Sequence, residues 1–209
     1  MRKLEDIYPN CFFKDRHHLS WRVNPLCTAI QMAYHAGKVI ELGASIGDLV
    51  DEFSRRGVYT IGIEGSRKVL KHLVCGRGKM HIQDLRLPLP DKYGRFELAL
   101  CFEVAEHIEP EYVDVFIGNL TRLSDQLCMS ICEGDGGRYH VNEQPIAYWE
   151  EKFAKKGYFR APEKEKLIKE FLQPHCVDMW MRIYHDRLAC FEKTAGSGPE
   201  VKDQKKVEN

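Results

Sequence analysis

None of the eight cysteines of this chain forms a C-x-x-C pair, which removes the zinc-ribbon and thioredoxin-like patterns. Neither charge is in excess: Lys plus Arg number 31, as do Asp plus Glu, for a formal net charge of zero. A global basic field able to draw in long nucleic acid is thereby excluded, though a local patch is not. No apolar run approaches the ~20 residues of a membrane span. Residues 1–8 are charged and lack the apolar core of a secretory leader, so no export signal and no membrane partner are expected. No segment repeats, which excludes solenoids. Cys75, Cys101, Cys128, Cys132 and Cys190 fall in or beside apolar strand-like runs, so reduced core thiols and a cytoplasmic location are expected. What remains, 209 residues with 44% hydrophobic content, suffices for one domain with its own core.

The most informative stretch is Val39-Ile40-Glu41-Leu42-Gly43-Ala44-Ser45-Ile46-Gly47-Asp48. Its β-branched and apolar start reads as a buried strand, and Gly43 and Gly47 free the backbone for a tight turn and the close approach of a ligand. Leu49, Val50 and Phe53 then follow at helical spacing until Gly57. A second apolar run ends in Glu64, an acid about 20 residues beyond the loop, where a pair of ribose hydroxyls would be held. Dinucleotide and methyltransferase readings compete, and spacing separates them. A dinucleotide loop requires G-x-G-x-x-G, so that a pyrophosphate rests on the helix N-terminus. Here Ala44, Ser45 and Ile46 separate the two glycines, and Glu41 ends the strand. A carboxylate there repels phosphate and suits a cationic group.

The remaining periodicity alternates strands with helices. Helices are predicted over 21–36, 110–123 and 163–172, with another opened by Pro145 and ended by Gly157. Strands are predicted over 80–85, 96–102, 124–132 and 187–192. Such alternation implies a mostly parallel sheet covered on both faces. No role is assigned to 160–186, and the polar residues from 194 onward are expected to form a disordered tail.

Taken in order, the glycine loop, Glu64-Gly65, Asp84-Leu85 and Glu103 resemble motifs I to IV of the class I S-adenosylmethionine-dependent methyltransferases. The resemblance implies an α/β, Rossmann-like fold: a seven-stranded, mostly parallel sheet with helices on both faces. It divides the chain into an N-terminal segment and helix (1–37), a methyltransferase domain (38–193) and the tail (194–209). It implies S-adenosylmethionine as cofactor. Glu41 would face its cationic amino-acid end, with Gly43, Ala44, Ser45 and Gly47 along the methionine. Glu64 and Gly65 would lie at the ribose, Asp84 and Leu85 at the adenine amino group, and Glu103 on the cofactor side.

A second cluster follows the fourth strand, in Glu103-Val104-Ala105-Glu106-His107. If Glu103 starts a helical turn, Glu106 and His107 lie three and four residues on, on one side. Two carboxylates and an imidazole facing together make either a divalent-metal half-site or a general-base arrangement. The segment resembles the E-x-x-E-H of ubiquinone-pathway O-methyltransferases and of small-RNA 3′-terminal 2′-O-methyltransferases, whose acids and histidine help hold a metal against ribose hydroxyls. His140 supplies a fourth candidate. It lies in Gly136-Gly137-Arg138-Tyr139-His140-Val141-Asn142-Glu143-Gln144-Pro145, the loop after the fifth strand, and the stretch from His140 to Gly157 resembles a bacterial and phage-type group of methyltransferase-domain proteins. Glu103, Glu106, His107 and His140 are thus the candidate metal set, and His107 or His140 the candidate base.

Three functions follow from these readings. The first is O-methylation of a small or glycan-like hydroxylated acceptor, which the hydrogen-bonding groups of the 136–145 loop suit. The second is metal-assisted 2′-O-methylation of RNA, for which Lys14, Arg16, His17, His18 and Arg22, with Phe12, Phe13 and Trp21, would offer a stacking and phosphate surface. The third is a cofactor-binding regulatory or scaffold protein without turnover. Nothing in the sequence specifies an oligomeric state.

Overall fold

In the computed structural model, β1 (Lys38–Leu42), β4 (Leu98–Cys101) and β5 (Gln126–Ser130) are buried along almost their whole length. Strands covered on both faces read as near-continuous apolar runs, and these lie at the centre of the sheet. The structure describes Leu4, Cys11, Phe13, Lys14 and residues 22–194. The expected tail beyond Thr194, and most of the basic aromatic stretch, lie outside the described residues.

With β2 (Tyr59–Glu64), β3 (Met80–Ile82), β6 (Tyr158–Arg160) and β7 (Leu188–Lys193), these strands form one sheet in the order β3-β2-β1-β4-β5-β7-β6. The first five pair in parallel, and β7 runs antiparallel to both β5 and β6. The register sets Ile40 beside Ile61 on one side and Ala99 on the other.

Successive side chains point to opposite faces, and two cores result. On one face Ile40, Ile61 and Ala99 pack under Phe116 and Ile117 of α3 (Val113–Leu123) and Trp149 and Phe153 of α4 (Ile146–Ala154). On the other, Val39, Leu98 and Leu100 meet Leu26 and Ile30 of α1 (Val23–Tyr34), Phe53 of α2 (Asp48–Arg55) and Ile168 and Leu172 of α5 (Pro162–Leu172). α1 is the predicted 21–36 helix, α3 the predicted 110–123 helix and α5 the predicted 163–172 helix, each with shifted ends.

The prolines account for part of that shift. Pro110 opens a single 3-10 turn (Pro110–Tyr112), and the α-helix starts only at Val113. Pro145 stays outside its helix, extended at the N-cap. The unassigned segment 160–186 forms α5 and then α6 (Met179–Asp186). Asp178 caps α6, accepting from the N–H groups of Trp180 and Met181, and its other oxygen takes Arg22 Nε at 2.8 Å, fastening α6 to the approach to α1. All eight cysteines are free thiols. Among the described residues no helix is long and apolar enough to cross a membrane.

Candidate active site

The loops after β1, β2, β4 and β5 enclose a cavity of ≈ 370 Å³ at the carboxyl ends of the parallel strands, where sheets of this kind hold ligands. The glycine loop forms its floor. Gly43 (φ 79°) and Gly47 (φ 81°) adopt the left-handed region, as does Ser45 (φ 46°). A Cβ at Gly43 would fall within the methyl of Val104, so only glycine lets the first loop lie against the fourth. Ser45 N–H donates to Glu64 Oε2 at 3.0 Å and Ser66 N–H to Oε1 at 2.8 Å, fixing the carboxylate at the tip of β2.

Gly43, Ser45, Glu64, Gly65, Leu85, Glu103, His107 and His140 all line the cavity. Glu41, Ala44 and Gly47 are set back from its wall, Glu41 buried at the end of β1. Asp84 is occupied in a way the sequence did not indicate. Its two oxygens accept from Arg86 Nε (2.9 Å) and Nη2 (2.7 Å), and Arg86 Nη1 reaches Glu109 Oε1 at 2.9 Å. Arg86 is only 3% exposed, and its pairing with Asp84 first, against the cost of burial, holds its pKa above the usual arginine value. The fork ties the loop after β3 to the turns after β4.

Glu103 does not start a helical turn. Its backbone is left-handed (φ 55°), its N–H donates to Ser130 Oγ at 2.6 Å, and the 3-10 turn begins two residues later, at Ala105–His107. The kink sends Glu103 away from Glu106 and His107: Oε2 accepts from Arg187 Nη1 at 2.7 Å, while Oε1 is buried with no hydrogen-bond partner among the described residues. The expected four-residue cluster therefore divides. Glu106, His107 and His140 each bring a ligand-type atom within 4.8 Å of the others, and Glu103 stands outside that group.

The loop after β5 completes the cluster by folding back. Val141 and Asn142 donate their N–H groups to the Glu106 carbonyl at 2.9 and 3.0 Å, and the His140 ring lies 4.9 Å from His107, edge to face. His107 Nδ1 sits 3.0 Å from the Tyr139 carbonyl oxygen. A carbonyl only accepts, so Nδ1 is the donor, and in the neutral ring Nε2 is the basic nitrogen. Glu106 is 1% exposed, and neither carboxylate oxygen has a hydrogen-bond partner among the described residues. Burial first, and the charge of Glu103 second, push its pKa up to about 8. An orphaned buried carboxylate facing two imidazoles suits a divalent cation, which would neutralise it where nothing else does.

Arg187, just ahead of β7, is the principal site residue the sequence does not reveal. It bridges Glu103 and Asp135, holding the Asp135 pKa down at about 2. Met179, Trp180 and Ile183 of α6 supply an apolar wall that no motif announces. Of the basic aromatic stretch, Phe13 is buried against Ile46 and Val69, and Arg22 is paired with Asp178. Neither offers an exposed stacking or phosphate-binding surface.

Sheet order and site together give the fold of the class I S-adenosylmethionine-dependent methyltransferases. No family model matches the sequence, and no curated protein matches it. Solved structures do. Magnesium protoporphyrin IX methyltransferase from Synechocystis PCC 6803 with bound SAM superposes with a TM-score of 0.54 at 18% identity, over 72% of this chain and 74% of that one. The methyltransferase domain of bacterial CtHen1 gives 0.57 at 17% identity, over 83% and 99%. A SAM-dependent methyltransferase from Archaeoglobus fulgidus gives 0.54 at 11% identity, over 68% and 69%. At such identities the likeness is one of fold.

Proposed function

We propose that this chain is an S-adenosylmethionine-dependent O-methyltransferase whose acceptor is a small or glycan-like hydroxylated molecule, its hydroxyl held at a divalent ion between Glu106, His107 and His140. The observation that carries the reading is Glu106, a carboxylate closed off from water and without a hydrogen bond among the described residues, beside two imidazoles. When bound, the cofactor supplies an electrophilic sulfonium methyl and the ion a Lewis acid that acidifies a coordinated hydroxyl.

The chain's own residues do the rest. Glu64, fixed by two backbone N–H groups, stands at the cavity wall where the ribose hydroxyls would bind. Glu103 keeps one oxygen on Arg187, and the other, without a partner among the described residues, can take a donor from the cofactor side. The backbone at Gly43 allows the methionine chain to lie close, and Val104 limits its movement. Met179, Trp180 and Ile183 give the cavity an apolar wall, and alignment supplies most of the acceleration an SN2 methyl transfer needs. The E-x-x-E-H segment with His140 favours a second reading, a terminal ribose of RNA as acceptor, since a 1,2-diol can chelate one ion through both oxygens.

A chelator experiment tests the proposal. With a competent acceptor, removal of divalent ions is expected to abolish transfer and added Mn²⁺ to restore it. Transfer that survives chelation would reduce the site to a metal-free one with His107 Nε2 as base. An absence of heat with either S-adenosylmethionine or its demethylated product in calorimetry would overturn the methyltransferase assignment itself.

A further inference from the structure

His140 has two ring nitrogens in two different environments, and the structure bears on which one serves the site. Nδ1 lies 2.7 Å from Glu143 Oε1 and 3.0 Å from Asp135 Oδ1. Nε2 lies 4.0 Å from Glu106 Oε1, on the side shared with His107. We infer that Glu143 is the positioning residue of this site: it holds the proton of His140 on Nδ1 and so leaves the Nε2 lone pair facing Glu106 and His107. The inference rests on the metal-site reading for its consequence, but the tautomer itself does not depend on a metal.

The geometry around Glu143 is that of an acceptor hub. The same Oε1 accepts from the backbone N–H groups of Asp135 and Gly136, both at 3.0 Å, and the Cys132 thiol lies 3.7 Å away. An oxygen surrounded by donors can only accept from imidazole, so Nδ1 must be the donor. Asp135 is the weaker candidate for this task. Its Oδ1 lies farther from Nδ1, at 3.0 Å against 2.7 Å for Glu143 Oε1, and its other oxygen is engaged by Arg187. The hub also fixes where the ring stands. It cinches residues 132–143 into a closed loop, with His140 N–H donating to the Gly137 carbonyl at 3.2 Å and the ring filling the space a Cβ at Gly137 would need.

Cys132, Asp135, His140 and Glu143 lie close enough together to count as a metal set of their own. Their polar atoms are already paired with one another and with backbone N–H groups, the pattern of a support that orients a ligand from behind. Free histidine in water favours the opposite tautomer, with the proton on Nε2. Without Glu143, His140 would present a donor to Glu106 where the site requires a lone pair.

The test reads the tautomer directly in full-length, metal-free, cofactor-free protein. ¹⁵N imidazole spectra, with the His140 signals assigned by their loss in His140→Gln, are expected to show a protonated Nδ1 and an unprotonated Nε2 in the wild type. Glu143→Leu should move the proton to Nε2, and Glu143→Gln, whose amide oxygen still accepts, should retain it on Nδ1. Mn²⁺ affinity measured by calorimetry should fall about 10- to 100-fold in Glu143→Leu and much less in Glu143→Gln. An Nε2-protonated wild type overturns the inference, with no variant needed. So does a Glu143→Leu protein that keeps Nδ1 protonated, for then Asp135 or the loop backbone holds the ring. Wild-type protein with the expected tautomer but no Mn²⁺ binding would overturn the metal reading and leave the role of Glu143 standing.

Discussion

Glu106 carries an unusual cost. In the metal-free chain its carboxyl is protonated until about pH 8, whereas the unfolded chain ionises it near 4.5. A folded-state pKa raised in this way contributes stability that is complete below pH 4.5 and is lost as pH rises through about 8. Glu106→Gln keeps the shape and removes the ionisation, so it should stabilise the metal-free protein at neutral pH by about 2–3 kcal/mol. The same change should eliminate divalent-ion binding. Urea melts at pH 5 and pH 7.5 read the first effect, and a variant no more stable than wild type at the higher pH would mean that Glu106 is not desolvated. At this scale the sequence revealed which acids end strands, because a parallel sheet delivers every such residue to one rim. It did not reveal what each acid touches. The capture of Asp84 by Arg86 and of Glu103 by Arg187 depends on loop conformations that no periodicity encodes.

Among elements, the loops after β3 and β4 are held together by one buried guanidinium. Arg86 spans Asp84 and Glu109 with almost no exposure. Arg86→Ala would leave two carboxylates facing each other across a partly dry gap, and a loss of about 3 kcal/mol or more is expected. Arg86→Ala with Glu109→Gln should recover part of it. Guanidinium chloride unfolding measures both, and a single variant within 1 kcal/mol of wild type (about the size of a surface ion pair) would show that water already screens the fork. Helix α6 belongs to the same scale. It spans only eight residues and buries one of them, Met181, too little for a periodic pattern to be read, so α6 went unassigned although α5 beside it did not. The long helices α1, α3 and α5 were legible because burial of one face repeats every turn.

For the whole molecule, the interior holds ionisable groups that must stay neutral. Burial drives the thiols of Cys27, Cys101 and Cys128 well above 9, and burial together with nearby Asp125 takes the Tyr158 phenol up to about 12. Each is a raised pKa, so its contribution is complete below the unfolded value and disappears as pH climbs towards the folded one. The melting temperature should therefore fall steadily from pH 9 through pH 12, by the sum of several groups titrating first in the unfolded chain. A scanning-calorimetry series that stays level to pH 11 would contradict the burial of these groups. Most strands and helices were legible at this scale; β6 was not read as a strand, and the antiparallel direction of β7 was not read either, because an apolar run carries no sign of its direction.

That entry has a consequence for how the protein is made. Among the described residues β6 pairs with β7 alone, and β5 lies between β4 and β7, so until residues 188–193 emerge from the ribosome β6 has no strand beside it and β5 has only β4. Arg187 arrives in the same stretch, and before it does Glu103 and Asp135 have no guanidinium between them. A polypeptide halted upstream of this point would expose an open sheet edge and an unbalanced acidic rim, a form suited to disposal and unsuited to chemistry. The strand that closes the sheet thus follows directly on the charge that completes the site.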